Sequence, residues 1–289
     1  MRRRRRDSIE ILSVDELKLM RRAGLVVARA LRDMTDAVQA GMTTHEVDAI
    51  AVEALAHAHA TSNFLGYEPG FGIAPYPAVT CLSVNNEVVH GIPSQRVLHQ
   101  GDLLSIDFGA IVEGLNGDAA RSVIVPGQTG QSASTPETAA RGRLNQATEA
   151  SLWAGIGAAR LGGTISDISS AVQRSLNRAG SYGIVRDFTG HGIGHHMHQD
   201  PDIPNYRTRG GAPIRQGMCL AIEPMATLGD DNVAILDDDW TVVTVDGSDA
   251  AHWENTITVT SRGLWVLTEE DGGQAMLERL GLPFGPLAD

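Results

Sequence analysis

The pattern of apolar and polar residues predicts that the chain begins with two helices. Ser13 with Glu16, and Thr43 with Glu46, each have the S/T-x-x-E spacing of a capping box, in which side chains satisfy the free amides of a helix start. Apolar residues at helical spacing would turn the second helix towards a core, namely Val47, Ile50, Ala54 and Leu55. These features predict a helical layer at the start of the fold.

The rest of the chain repeats this order of helices followed by strands. A loop rich in Gly and Pro, at 64–80, leads into strand-like runs, and short strands dominate again from Gly183 onward. The predicted ranges are strands at 81–89 and 103–112, a polar connector at 126–136, and helices at 137–160 and 164–178. This coarse two-fold repeat suggests two similar halves around one sheet.

Composition narrows the class of protein. The 289 residues, 42% of them hydrophobic, suit a globular chain with a sizeable core. We expect no membrane span, since no run of about 18 apolar residues occurs. The start of the chain lacks the apolar stretch of a secretory signal, so we expect a cytoplasmic protein. Two cysteines, Cys81 and Cys219, form neither a disulfide framework nor a CxxC pair, so any metal would be bound by His and carboxylates.

The charge distribution bears on partners. A formal net charge of −12 argues against specific nucleic-acid binding by the chain as a whole. The block Arg2–Arg6 is nevertheless basic, and we interpret it as a disordered tail, with a ribosome or RNA contact as the alternative.

The stretch IDFGAIVEGLNGDAAR places two aspartates, Asp107 and Asp118, in a run that otherwise resembles buried strands. If Val112 and Glu113 form a hairpin tip, the two carboxylates face each other, with Cβ atoms about 4.5–5.5 Å apart, where like charges destabilise a pair. A bound cation or a shared proton would remove this penalty. The alternative from this segment alone is that Asp118 merely ends a turn after an Asn-Gly pair.

A second segment, FTGHGIGHHMHQDP, carries four histidines at positions 191, 195, 196 and 198. Its glycines make a helix improbable and predict a tight loop that enters a strand. Glycines at such a place let the backbone approach another chain or a ligand closely. A solvated histidine-rich loop is the alternative that this segment alone leaves open.

Two glutamates lie in apolar strand contexts: Glu223 in CLAIEPMA and Glu254 in AAHWENTITVT. Burial of an ionised glutamate is costly unless the group is paired or ligates a metal, although a single one could point outward from an edge strand. Four acidic residues in strand-like surroundings, together with a histidine framed by glycines, suit two divalent cations with shared ligands. Such paired ions activate a water and stabilise a developing oxyanion.

The motifs SVNNEVVHGIP, GHGIG, IEP and WENT, together with the Asp107/Asp118 pair, occur in an order and spacing that resemble the type I methionine aminopeptidases. The resemblance implies an α+β pita-bread fold, with two pseudo-symmetric halves around a curved antiparallel sheet and helices outside. It covers 13–268 as a single catalytic domain, which leaves 1–12 as a disordered basic tail and 269–289 as a peripheral C-terminal tail. The implied activity removes the N-terminal methionine from nascent proteins and peptides with a small second residue.

The resemblance also implies a role for particular residues. Two divalent ions, of Co, Mn, Fe or Zn, would be bound by Asp107, Asp118, His191, Glu223 and Glu254, with Asp118 and Glu254 bridging. Glu223 would transfer the proton, His198 would donate to the scissile carbonyl oxygen, and His90 would orient the peptide. The implied substrate pocket is lined by Tyr67, Tyr76, Cys81, His90, Met197, His198 and Trp240.

The chain departs from the family at three positions. His252 and Asn255 flank Glu254 where the family more often has Gln and His, and Gln199 replaces a frequent Glu. Such neighbours orient metal ligands, so the departures bear on activity. The expected partners are nascent polypeptide N-termini, with the ribosome as a further candidate, and a monomer is expected.

Two alternatives share the fold. An Xaa-Pro aminopeptidase or prolidase uses the same five ligands but usually carries a large additional N-terminal domain. A non-catalytic pita-bread binding protein would have lost its ligands, whereas all five ligand positions are filled here.

Overall fold

The structure is a computed structural model that describes residues 9–70, 72–128 and 135–287. Within these residues the chain forms five helices and fifteen strands. The helices are α1 Val14–Ala37, α2 Thr44–Ala58, α3 Pro136–Ala158, α4 Ile165–Ala179 and α5 Gln274–Arg279. The strands of the first half are β1 Thr61–Ser62, β2 Thr80–Val84, β3 Glu87–Val89, β4 Leu103–Val112 and β5 Leu115–Ile124. The later strands are β6 Gly183–Ile184, β7 Gly190–Gly192, β8 Gln199–Ile203, β9 Cys219–Ile222, β10 Met225–Thr227, β11 Val233–Ile235, β12 Val242–Thr244, β13 Ala250–His252, β14 Asn255–Thr260 and β15 Gly263–Val266.

Both capping boxes predicted from the sequence begin helices. The Ser13 side chain accepts from the amide of Glu16 at the start of α1, and Thr43 does the same with Glu46 at the start of α2. The predicted helices at 137–160 and 164–178 are α3 and α4, with ends shifted by at most two residues. The predicted strand at 103–112 is β4, whereas the run at 81–89 is divided into β2 and β3 because Asn85 turns the chain with a φ of 59°.

Each half of the molecule combines a helix pair with an antiparallel sheet. In the first half α1 and α2 pack on β4, which pairs with β5, β1 and β2. In the second half α3 and α4 pack on a five-stranded sheet of order β15-β14-β9-β7-β8. The β4 residues Leu104, Ile106 and Phe108 are fully buried beneath the first helix pair. This arrangement confirms the predicted α+β fold with two similar halves.

The hairpin between β4 and β5 turns one residue later than the sequence suggested. Its two turn residues are Glu113 and Gly114, with φ angles of 50° and 85°, and Val112 pairs with Leu115 across the strands. Two successive positive φ values suit a tight hairpin turn, and glycine adopts one of them without strain. Asn116 lies inside β5, so the alternative in which Asp118 merely ends a turn is wrong.

The register of this hairpin corrects the predicted pairing of the two aspartates. Asp107 lies opposite Ala120, and Asp118 lies opposite Gly109, so the carboxylates do not face each other directly. The shift amounts to two positions, and side chains alternate between the faces of a sheet with a period of two. The two aspartates therefore remain on one face as diagonal neighbours.

Both ends of the described chain pack on the fold. Leu12 is buried and its amide donates to the carbonyl of Gly217 over 2.9 Å, so the expected disorder is wrong for 9–12, while Arg2–Arg6 lie outside the described residues. At the other end Leu277 of α5 is fully buried, and Phe284 packs against the second-half core. The segment after Glu269 is thus part of the core and not merely peripheral.

The predicted connector at 126–136 lies partly outside the described residues, which resume at residue 135. Among the helices that the structure describes, none combines the length and the apolar character needed to cross a membrane.

Candidate active site

The five residues expected as metal ligands line one cavity of about 370 Å³ between the two halves. Asp107 and Asp118 project from β4 and β5, and His191 from β7, whereas Glu223 and Glu254 lie at the ends of strands. One potential ligand atom each of Asp118, His191 and Glu254 lies within 4.8 Å of the other two, and all three side chains are buried. Nε2 of His191 lies 3.5 Å from Oε1 of Glu223.

Hydrogen bonds across the seam of the two halves hold the central carboxylates. Ala120 of β5 and Glu254 exchange main-chain hydrogen bonds of 2.9 and 3.3 Å. The Thr256 hydroxyl donates to the carbonyl of Asp118 over 2.7 Å and accepts from its amide over 3.2 Å. The first half therefore supplies Asp118, the second half supplies Glu254, and the backbone fixes their separation.

Several polar atoms in the cavity lack partners among the described residues. Oδ1 of Asp107, Oδ1 of Asp118 and Oε1 of Glu254 are buried and accept no hydrogen bond. Buried carboxylate oxygens are normally paired, because an unpaired buried charge carries a large desolvation cost. A divalent cation would satisfy all three atoms, so the donor set fits a metal site.

The electrostatics of the carboxylates agree with this fit. Burial raises the pKa of Asp118 to about 7. Burial, and after it the charges of Asp118 and Glu223, raise the pKa of Asp107 well above its usual value. Burial and the charge of Asp118 raise the pKa of Glu223 likewise, and burial is also the main cause of the raised pKa of Glu254. Without a cation, the site resists being fully ionised.

His191 presents a nitrogen lone pair to this cluster. Burial lowers its pKa to about 3, so the ring is neutral. Its Nδ1 lies 3.0 Å from the carbonyl of Gly192, which accepts a hydrogen bond only if Nδ1 carries the proton. Nε2 is then unprotonated, as a metal-ligating histidine requires.

An apolar pocket adjoins the carboxylates. Tyr76, Cys81 and Met197 pack with Phe64, and the edge of Trp240 meets Tyr76 with ring centroids 5.0 Å apart. Burial raises the pKa of the Cys81 thiol well above its usual value, so it remains a neutral, polarizable wall. All residues that the resemblance assigned to the substrate pocket line the cavity: Tyr67, Tyr76, Cys81, His90, Met197, His198 and Trp240.

Two further histidines border the pocket and the carboxylates. The Tyr67 hydroxyl lies 3.0 Å from Nδ1 of His198, whose ring meets His191 edge-on with centroids 4.5 Å apart. The ring of His90 packs edge-on against Phe188, with centroids 5.4 Å apart. Burial lowers the pKa of His198 and lowers that of His90 to about 4, so both rings are neutral at neutral pH.

The four histidines of the glycine-rich segment divide into two pairs. His191, which is buried, and His198, which is exposed, line the cavity, whereas His195 and His196 are exposed and do not line it. Nδ1 of His195 lies 2.8 Å from Oε1 of Glu10, on the outer side of the loop. The loop that the glycines predicted therefore has a cavity side and a surface side.

The structure also gives the surroundings of the three departures. Asn255 lies outside the cavity, where its Oδ1 accepts from Nη2 of Arg121 over 2.9 Å and from the hydroxyl of Thr268 over 2.8 Å. Nε2 of Gln199 donates to Oε2 of Glu10 over 2.9 Å. Only His252, among the three, lines the cavity.

Sequence reasoning missed several lining residues, namely Phe64, Pro69, Val89, Phe188, Thr189, Asp202 and Met225. Phe188 and Met225 directly adjoin the histidine and glutamate motifs in the sequence, so proximity was a usable signal for them. Phe64 and Pro69 belong to the loop before β2, and nothing in that loop distinguishes wall residues from exposed ones.

Comparison with known proteins identifies the family. The model of metallopeptidase family M24 matches residues 18–261. The chain is 44% identical over 263 residues to methionine aminopeptidase 1 of Mycobacterium tuberculosis, covering 89% of this chain and 93% of the relative. It is 42% identical over 255 residues to the methionine aminopeptidase of Clostridium acetobutylicum, covering 88% of this chain and 96% of the relative.

Solved structures agree. The crystal structure of methionine aminopeptidase from Thermotoga maritima matches with a TM-score of 0.83 and 38% identity, covering 91% of this chain and all of that chain. A prolidase from Pyrococcus furiosus matches with a TM-score of 0.65 and 20% identity, over 90% of this chain and 65% of the prolidase, which shows a shared fold alone. The fold and enzyme class predicted from the motifs are confirmed, and M24 membership implies divalent metal ions. The chain belongs to metallopeptidase family M24, as a hydrolase of the methionine aminopeptidase type.

Proposed function

We propose that this chain removes the N-terminal methionine from nascent proteins and peptides whose second residue is small, with two divalent ions in the carboxylate cluster. One observation carries the proposal: three partnerless buried carboxylate oxygens adjoin a neutral histidine and an apolar pocket. The relatives named above act on methionine by their names, which supports this substrate. We place the reaction in the cytoplasm, on a monomer that meets nascent chains.

The ions would be held by Asp107, Asp118, His191, Glu223 and Glu254. Carboxylate oxygens with one imidazole suit Mn, Fe, Co and Zn alike, so the donor set does not choose among them. Two divalent ions bound there supply Lewis acidity, since they lower the pKa of a bound water and stabilise negative charge on a carbonyl oxygen.

The side chains around this centre are suited to transfer protons and to donate hydrogen bonds. Glu223 has a raised pKa and borders the cavity, so it is suited to accept a proton and pass it to the leaving amine. If the Tyr67 hydroxyl donates to Nδ1 of His198, the proton of that neutral ring lies on Nε2. His198 then has an N–H to stabilise the scissile carbonyl oxygen as charge develops, and His90 orients the peptide.

Substrate choice follows from the pocket wall. Tyr76, Cys81, Met197 and Trp240 offer aromatic and sulfur surfaces that suit an unbranched thioether side chain. The Tyr76 hydroxyl is itself occupied, since it donates to the carbonyls of Thr80 and Gly91 over 3.0 and 3.1 Å. The wall is therefore effectively apolar towards the substrate.

The test is mass spectrometry of mixed peptides that begin with Met-Ala, Met-Leu, Ala-Pro or Met-Pro, incubated with metal-free protein and then with added Mn²⁺ or Co²⁺. We expect metal-dependent loss of methionine from the Met-Ala peptide and not from the Met-Leu peptide. Cleavage confined to the proline peptides would indicate an Xaa-Pro peptidase. Absence of cleavage with every metal would indicate a binding protein.

A variant tests the bridging role of Asp118. Asp118→Asn should abolish turnover and weaken binding of both ions by calorimetry, because it replaces an anionic oxygen at the centre of the cluster. Asp36→Asn makes the same chemical change on the exposed side of α1 and serves as the matched control. Near-normal turnover in Asp118→Asn would refute the bridging assignment.

A further inference from the structure

His252 is a buried side chain of the cavity to which the proposed reaction assigns no role. It ends β13, is 2% exposed and lines the cavity beside the carboxylates. Its Nε2 is buried and has no hydrogen-bond partner among the described residues. A buried polar atom of this kind carries a desolvation cost, so its position calls for a ligand or a partner in the working enzyme.

The backbone around His252 is firmly held. The hydroxyl of Ser122 accepts from the amide of His252 over 3.0 Å and donates to its carbonyl over 2.8 Å. The Ser105 hydroxyl lies 2.7 Å from that of Ser122 and 3.3 Å from the same amide. β13 is thereby fixed to the β4–β5 hairpin, and so is the backbone from which the imidazole of His252 projects.

Nε2 of His252 lies near one carboxylate oxygen of Glu223. It lies 3.6 Å from Oε2 of Glu223, while Nε2 of His191 lies 3.5 Å from Oε1 of the same carboxylate. Each oxygen of Glu223 thus faces its own imidazole. Nδ2 of Asn205 donates to the main-chain carbonyl of Glu223 over 2.8 Å, which holds the backbone from which this carboxylate projects.

The two imidazoles are not equivalent. The Nδ1 contact of His191 leaves its Nε2 as an acceptor or ligand, and His191 belongs to the group whose ligand atoms lie within 4.8 Å of one another. Nε2 of His252 lies 3.6 Å from Oε2 of Glu223, so the neutral ring is placed to donate to this oxygen when its proton is on Nε2.

We infer that His252 is a positioning residue that donates a hydrogen bond from Nε2 to Oε2 of Glu223 and so keeps Oε1 turned to His191 and the metal centre. A carboxylate is free to exchange its two oxygens by rotation about its last side-chain bond, and the orientation becomes unique only when one oxygen has a donor. A movement of a few tenths of an ångström converts the 3.6 Å separation into a hydrogen bond. The inference rests on the proton-transfer role proposed for Glu223.

The test compares His252→Leu, which removes the donor and keeps an apolar side chain, with His252→Gln, which keeps an N–H donor. Both are assayed as metal-loaded, full-length protein on a Met-Ala peptide. We expect His252→Leu to lower kcat by about 10–100-fold, the usual range for partners that orient metal ligands, with KM changed less than threefold. His252→Gln should recover most of kcat. His196→Leu removes an exposed imidazole from the neighbouring loop and is the matched control.

A second readout does not depend on activity. Calorimetric titration of the metal-free variants with Mn²⁺ should show the wild-type number of bound ions in both His252→Leu and His252→Gln. Loss of one bound ion in both variants would overturn the inference, because it would make His252 a ligand. A wild-type kcat in His252→Leu would overturn it as well, as would a kcat that His252→Gln fails to raise above that of His252→Leu.

The variant Glu223→Gln, alone and combined with His252→Leu, separates the positioning role of His252 from the proton-transfer role proposed for Glu223. If His252 acts through Glu223, adding His252→Leu to Glu223→Gln should lower kcat no further, and a full additional loss would overturn the inference. If Glu223→Gln itself keeps wild-type kcat, the proton-transfer role fails and the inference fails with it. If the parent protein cleaves the Met-Ala peptide and His252→Leu cleaves it with the same kcat, the proposed function stands and the inference alone is overturned.

Discussion

The carboxylate cluster should make the metal-free protein less stable as the pH rises above about 6.5. In the folded protein the pKa of Asp118 is about 7 against the usual 3.8, because the group is buried. The folded state therefore keeps a proton that the unfolded state releases, and stability falls as the pH rises towards the folded pKa. The pKa values of Asp107, Glu223 and Glu254 are raised in the same direction, so these groups extend the fall to higher pH.

The magnitude follows from the same values. Asp118 alone differs by about 3 pH units between its folded and unfolded pKa, which corresponds to about 4 kcal/mol at 1.36 kcal/mol per unit. Each proton that the folded state retains gives a slope of about −1.4 kcal/mol per pH unit. Because Asp118 titrates near pH 7, it accounts for about 1 kcal/mol of the fall in the free energy of unfolding between pH 6.5 and 8.5, and the other carboxylates with raised pKa values add to this fall.

Buried histidines determine where the window begins. The pKa values of His191 and His252 are lowered to about 3, and that of His90 to about 4, mainly by burial. Below the usual histidine pKa of 6.5 the unfolded state binds more of these protons, so their contribution to stability rises with pH and opposes that of the carboxylates. Above about pH 6.5 the histidine contribution is constant, and the carboxylates act alone.

The assay is urea unfolding of chelator-treated protein at pH 6.5, 7.5 and 8.5 and constant ionic strength, repeated with saturating Mn²⁺. The ion should stabilise the protein more at pH 8.5 than at pH 6.5, because it binds the ionised carboxylates. Metal-free Asp118→Asn should be more stable than the wild type at pH 8.5. A metal-free wild type whose stability is flat or rises across this window would refute the reasoning.

Three further predictions concern other contacts. Gln199→Glu should lower the free energy of unfolding by about 1 kcal/mol in urea, because it sets a second carboxylate against Glu10, and adding Glu10→Gln should restore it. Gly24→Ala should lower the free energy of unfolding in urea by about 3 kcal/mol or more, because the added methyl group would collide with the main-chain carbonyl oxygen of Leu267. An unchanged unfolding midpoint would contradict this prediction. Tyr67→Phe should lower kcat about tenfold with little change in KM by removing the contact to Nδ1 of His198, and an unchanged kcat would contradict that role.

Local signals explain what the sequence predicted well. The capping boxes at Ser13 and Thr43 depend on side chains three residues apart, and both begin helices as expected. The strand at 103–112 depends on a continuous apolar run, and β4 has these bounds. The motifs around Asp107 and His191 indicated the cavity because buried polar residues in apolar runs are costly without a ligand.

One local backbone conformation and one set of non-local contacts explain what the sequence did not predict. The register of the β4–β5 hairpin depends on Glu113 at a positive φ, a conformation that its residue type does not favour. The ordering of 9–12 depends on Glu10, which accepts from His195 and from Gln199, residues far away in the chain. Neither the positive φ of Glu113 nor the hydrogen bonds of Glu10 have a sequence signature.

Gln199 shows how such a contact changes the meaning of a departure. Considered as sequence, it replaces a frequent glutamate of the family and puts activity in doubt. In the structure its amide donates to Glu10, which also accepts from the amide and the ring of His195. A glutamate at this position would place two carboxylates within hydrogen-bond distance, so glutamine is the residue that suits a chain with Glu10. The departure stabilises the outer side of the loop that carries His198.

The division of the site between two halves gives the metal ions a structural role beside the chemical one. Asp107 and Asp118 come from the first half, and His191, Glu223 and Glu254 from the second, while main-chain bonds between Ala120 and Glu254 fix the seam. Without cations, and at a pH where these carboxylates are ionised, like charges face each other across this seam and oppose its closure. Bound ions would replace this repulsion by attraction between cations and carboxylates. The ions that lower the pKa of a bound water would then also hold the two halves together. Metal loading should therefore change stability most strongly at the pH where the carboxylates are ionised.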